Sequence, residues 1–188
     1  MEDTSKKIIV VLETIKKERN KEEVIIKKSP TKRVITNTER WDKSISGEHL
    51  NTEKQWEMIQ EIWEDKIDDK NVKQCSLILQ NINQKIYGYK SQDILKKKYN
   101  PDLFISIRCV IELLVEKRIE CHYCKERVRL LYEYVRDPLQ WTLDRIDNSL
   151  GHINNNLFIS CLSCNLKRRT MFHEKYVFTK QLKIMKTG

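Results

Sequence analysis

The chain has 188 residues, 39% of them hydrophobic and 34% charged, and a formal net charge of +9. Such a chain suits one domain, or one domain with an extension, and leaves little material for a large apolar core. With four glycines and three prolines, helices are favoured over a turn-rich all-β fold.

No apolar run is long enough to span a membrane; the best stretch, Leu103 to Val115, is interrupted by Arg108 and Glu112. The opening Met1-Glu-Asp-Thr is acidic and no uninterrupted apolar core follows it, so no signal peptide is expected. An intracellular location, cytoplasmic or nuclear, is therefore expected, where thiols stay reduced. The charge is unevenly placed. Residues 1–70 hold 15 Lys and Arg against 16 Asp and Glu, whereas residues 71–188 hold 21 against 11. A basic excess confined to one part of the chain points to a polyanion partner, above all nucleic acid.

In chain order, residues 4–19 have the spacing of a short amphipathic helix through Ile8, Val11, Leu12 and Ile15. Residues 20–50 are polar and aperiodic, and read as a linker or mobile arm. Thr52-x-x-Gln55 has the form of a capping box. It predicts a helix that buries Trp56, Ile59, Trp63 and Ile67. A second helix is predicted over 72–86 through Val72, Cys75, Ile78, Leu79, Ile82 and Ile86. A short lysine-rich helix capped by Ser91 follows. Asn100-Pro101 then reads as the start of a helix with a stripe from Leu103 to Val115. Cys75 and Cys109 fall on apolar faces and read as core residues. Beyond Cys124 the period changes. Val128, Leu130, Tyr132 and Tyr134 alternate as in a strand, Leu139 to Ile146 suggests a second, and Leu157 to Ser160 a third, running into a helix at Cys161.

The chemistry concentrates in two C-x-x-C pairs, Cys121/Cys124 and Cys161/Cys164. Two thiolate pairs in a reducing compartment match a structural four-cysteine zinc site, which is coordinatively closed and does no chemistry itself. Between and beyond the pairs lie Leu143-Asp-Arg-Ile-Asp-Asn148, Gly151-His152, Asn156-Leu157, Asn165 and Lys167-Arg-Arg169.

This run resembles the HNH endonuclease family, in particular its branch with a D-R-I-D-N signature and two zinc-binding C-x-x-C pairs. The resemblance covers about residues 118–175. It implies a zinc-stabilised ββα-metal domain there, so that with the helical region read before it the chain is expected to be α+β. The expected organisation is an arm and linker at 1–50, a helical region at 51–117 and a nuclease domain at 118–178. The implied activity is metal-dependent hydrolysis of phosphodiester bonds, with DNA as the expected substrate. By the same resemblance Asp144 and Asn165 would hold the catalytic cation. A carboxylate and an amide oxygen suit Mg2+ or Mn2+ better than a second zinc. Asn156 would pin the hairpin loop, and Lys167, Arg168 and Arg169 would contact phosphates, although three successive helix residues cannot all face one groove and some must point elsewhere.

The departure from the family pattern is Arg145, which stands where many members carry a histidine general base. Arginine stays protonated and is a poor base; it suits phosphate orientation or transition-state stabilisation. His152, Asp147, or a metal-bound hydroxide with no side-chain base are the alternatives. His122, His49 and His173 are not expected to be catalytic. A viral or mobile-element origin would suit the family. The rival reading is a catalytically inactive, zinc-stabilised nucleic-acid-binding module; a protein-interaction adaptor is a third.

Overall fold

A computed structural model describes residues 47–182 of the chain. These residues fall within one compact unit; the helix expected at 4–19 and the arm up to residue 46 lie outside the described residues.

A 3-10 turn at Gly47–Leu50 leads into α1, Thr52–Glu64. The cap is Asn51, not Thr52: its side chain accepts from the Glu53 N–H at 2.8 Å. Gln55 does not reach back as a capping box requires. It is fully buried, donates to the carbonyls of His49 and Leu131, and accepts from the N–H groups of Leu130 and Leu131. This side chain thus satisfies the backbone of a distant segment, which a core position would otherwise leave unpaired. The buried line of α1 is accordingly Gln55, Met58 and Ile59, while Trp63 and Ile67 stay more than a third exposed.

After a 3-10 turn at Asp69–Asn71 comes α2, Val72–Leu95, a single helix of 24 residues. No break occurs at Ser91. Its hydroxyl bonds the Tyr87 carbonyl one turn back, so the residue reads as a cap in sequence but is absorbed inside the helix. Cys75, Ile78 and Ile82 line its buried face, and Asp93 lies buried near its end. Asn100 opens no helix either. Its side chain closes a turn by accepting from Asp102 and Leu103, and α3 begins only at Ile107, capped by Ser106. Helix α3, Ile107–Glu116, buries Val110, Ile111 and Leu114. Arg118 and Ile119 then both adopt the left-handed conformation. For a β-branched residue that conformation is costly, and Ile119 is held in it by burial and by its N–H bond to Leu114 at 2.8 Å.

The strand expected at 128–134 does not form. Val128, Leu130, Leu131 and Tyr132 are all buried, which breaks the alternation of a half-exposed strand, and only isolated bridges occur there. Two strands do form, β1 at Trp141–Arg145 and β2 at Leu157–Cys161. They pair antiparallel, with Trp141 opposite Cys161 and Arg145 opposite Leu157. Helix α4, Leu162–Arg168, follows β2 directly and packs on both strands. Its first free N–H groups, Leu162 and Ser163, are taken by the carbonyls of Gln140 and Pro138, so the helix start is satisfied by the run into β1. Helix α5, His173–Gln181, closes the described chain.

Among the described residues the fold is mixed α+β, with five α-helices and a two-stranded sheet. One hydrophobic cluster runs from Met58 and Ile59 of α1 through Ile78, Ile82 and Leu114 to Trp141, Leu143 and Ile159. The helical region and the cysteine region therefore share a core, and residue 117/118 is not a packing boundary. Among the described residues no helix is long and apolar enough to cross a membrane.

Candidate active site

Two centres draw residues from the β1–β2 hairpin and α4. The first is the cysteine cluster. The Sγ atoms of Cys121, Cys124, Cys161 and Cys164 all lie within 4.8 Å of one another, with Cys124 and Cys161 at 3.9 Å. Zinc–sulfur bonds of about 2.3 Å in a tetrahedron put the sulfurs about 3.8 Å apart, so the four can hold a zinc ion. With the sulfurs packed this closely, the Cys121 thiol is pulled down by its neighbours Cys161 and Cys164, whose own thiols are pushed up. Cys161 also caps α4, its sulfur accepting from the Cys164 N–H. The flanking His122 is not drawn into the cluster; its ring stacks on Phe158 at 3.7 Å. Cys75 is buried in the core and Cys109 is half-buried beside Ser106, away from these sulfurs.

The second centre is a cleft of about 190 Å³ lined by β1, α4, the hairpin loop and the end of α2. It gathers Asp144, Arg145, His152 and Asn165, together with Tyr89, Gln92, Lys96 and Arg169. Asp144 is buried. One carboxylate oxygen accepts from Arg168 Nη1 and the other from the Tyr123 hydroxyl, each at 2.6 Å. Burial raises its carboxyl above the usual range, against the pull of Tyr123 and Arg168. Each oxygen keeps lone-pair capacity for a further partner. Asn165 donates its amide N–H to Thr142 Oγ1 at 3.1 Å and to the Leu143 carbonyl at 3.3 Å, so its amide oxygen is the atom left for a ligand.

A carboxylate and an amide oxygen on the same cleft form a donor set that fits a hard divalent cation completed by water and substrate oxygens. Among the described residues no second cluster of three or more His, Cys, Asp or Glu side chains converges as the cysteines do. Protein ligands at the cleft would therefore be few.

Around these, Arg145 donates to the Leu150 carbonyl at 3.0 Å and still lines the cleft. Asn156 ties the hairpin loop. Its amide N–H donates to the carbonyls of Asp147 and Gly151 and its oxygen accepts from the Asp147 N–H at 2.8 Å. Asp147 is exposed and turned into the loop, accepting from the Ser149 N–H, which holds its carboxyl below the usual range. It is a weaker base than its sequence position suggested. His152 is buried, with its ring stacked on Tyr89 at 4.4 Å.

Of the three basic residues expected on phosphates, Lys167 and Arg169 are exposed, but Arg168 is 1% exposed. Its guanidinium is spent on Asp144 and on the carbonyls of Arg145, Ile146 and Met171. A phosphate contact does not fit that placement; Arg168 braces β1 against α4 instead.

Sequence reasoning missed Tyr89, Gln92, Asp93 and Lys96, all from the helical region. One signal was present: Asp93 continues the buried line of Cys75, Ile78, Ile82 and Tyr89, and an acid on an apolar face calls for a partner. No protein-family model, curated protein or solved structure matches the chain, so the class of the site rests on its own geometry.

Proposed function

We propose that this chain is a metal-dependent endonuclease of the HNH type, hydrolysing phosphodiester bonds in DNA. The observation that carries the reading is the single cleft on which Asp144, Arg145, His152 and Asn165 meet, beside a four-cysteine cluster able to hold a structural zinc ion.

Asp144 and Asn165 would hold the Mg2+ or Mn2+ ion, which neutralises charge developing on the scissile phosphate and its leaving 3′ oxygen. Arg145, Lys96 and Arg169 bring positive charge to the same cleft. They draw in and orient the phosphate, and fixed cations at that position stabilise the transition state. His152 accepts the proton of the attacking water. Arg168 and Tyr123 hold the Asp144 carboxylate in place. Exposed Lys167 adds a phosphate contact beyond the cleft.

The test is nicking of supercoiled plasmid by zinc-loaded protein with and without Mg2+ or Mn2+, beside Asp144→Asn. The asparagine keeps an acceptor for Arg168 while removing the negative charge. Metal-dependent nicking lost in the variant supports the reading. Silence from both proteins on duplex, branched and single-stranded DNA, with salt-sensitive binding intact, would replace it with the non-catalytic binding module.

A further inference from the structure

We propose that Asp93, near the end of α2, is a positioning residue for His152, holding the imidazole with its proton on Nδ1 so that Nε2 is the atom that takes the proton from water. The inference rests on the endonuclease reading.

Asp93 is fully buried. One of its oxygens accepts from the His152 backbone N–H at 2.6 Å, and the other faces His152 Nδ1 at 2.9 Å. An ionised carboxylate only accepts, so the ring proton of a neutral His152 sits on Nδ1. Two bonds from one carboxylate fix both the backbone and the ring of the same residue. Tyr89, one helical turn earlier, packs flat on that ring with an interplanar angle of 24°. The neighbouring Gly151 is cut to the same fit: a Cβ there would lie 2.8 Å from the Asp93 carboxylate and against the Lys98 carbonyl. Among the described residues no protein hydrogen bond reaches Nε2, and His152 lines the cleft with Asp144 and Asn165.

The charged groups facing the imidazole are Asp93 from α2, Lys96 just beyond it and Arg145 from β1. Burial, with Arg145 and Lys96, outweighs Asp93 and holds the ring below its ordinary pKa, so it is neutral at pH 7. In the step, water's oxygen bonds to phosphorus as its proton passes to Nε2. The bond from phosphorus to the 3′ oxygen breaks, and that oxygen takes a proton from solvent. Asp93 stabilises the imidazolium formed, as the buried carboxylate does in an Asp-His pair.

The experiment compares the full-length zinc-loaded protein with Asp93→Asn. An asparagine offers one acceptor, which the His152 backbone N–H claims, and turns an amide N–H towards Nδ1, favouring the tautomer protonated on Nε2. The expected result is a fall in kcat of roughly 10²-fold or more, with DNA affinity and zinc content retained. The acidic limb of the pH–rate profile would be lost. ¹⁵N NMR of the ring should show Nδ1 protonated in the wild type and Nε2 in the variant. A wild type that cuts, with a variant matching its rate and pH profile, overturns the inference and leaves the nuclease reading standing. So does a wild-type ring protonated on Nε2, a measurement that needs no variant to fold. A wild type that cuts nothing overturns both.

Discussion

The cysteine cluster and the cleft lie on one hairpin but are built in opposite ways. Within each C-x-x-C pair the ligands are three residues apart, and a short knuckle or helix start brings them together. The cleft draws Asp144 and Arg145 from β1, Asn165 from α4 and His152 from the loop. It then needs α2, whose Asp93 lies 59 residues before its partner. The first centre is made of two locally formed pairs, brought together across 37 residues from Cys124 to Cys161. The second exists only when the helical region docks. The contrast separates a cluster able to anchor the domain from a cleft proposed to carry the chemistry, and it can be broken experimentally at either end.

The largest effect is expected at the cluster. Chelation, or Cys161→Ser, should remove folding energy on the order of 10 kcal/mol and lose the cooperative thermal transition followed by circular dichroism. If the protein melts unchanged without metal, the cluster is not the structural anchor.

Asp144→Ala should come next. It leaves the buried Arg168 guanidinium without its carboxylate, which costs about 3–5 kcal/mol, while Asp144→Asn should lose activity with a much smaller drop in Tm. Equal losses of stability in the two variants would disprove the bracing role of the Arg168 pair. Gln55→Ala tests the shared core. It strands the N–H groups of Leu130 and Leu131, at about 1–3 kcal/mol for each buried group, read from the urea midpoint.

A smaller effect concerns pH. His152 is kept neutral in the fold, its pKa depressed below the usual imidazole value chiefly by burial. Its contribution is fully present above pH ~6.5 and is lost as pH falls from there through the folded pKa, by at most about 1.4 kcal/mol per unit. In His152→Gln that part of the acid sensitivity should disappear. Smallest of all, Lys167→Ala should weaken DNA binding about equally across sequences and reduce the salt slope by ~1.

The same contrast governs what the sequence revealed. The cysteine pairs, β1, β2 and α4 were legible because each is specified by neighbours in the chain. The capping box at Thr52, the break at Ser91 and the helix at Asn100-Pro101 were misread. Each is a local signal that tertiary contacts overrode, most plainly where Gln55 turned inward to the backbone of residues 130 and 131. Asp144 and Asn165 were placed by their motif, and the cleft gathers both. That some of the three successive basic residues must point away from a phosphate groove was legible, but that Arg168 is the buried one depends on the packing of α4 on β1. Asp93 was invisible because its meaning depends on which loop its helix end meets.

Gly151 carries a consequence for modular exchange. With no room for even a methyl group between the hairpin loop and the Asp93 carboxylate, loop and helix end are matched like key and ward. A hairpin grafted from this chain onto a foreign scaffold would leave Cys121 and Cys124 behind and the histidine unaimed. For recombination between such proteins, the smallest inheritable unit of a working site would then run from α2 through α4, rather than from one cysteine pair to the next.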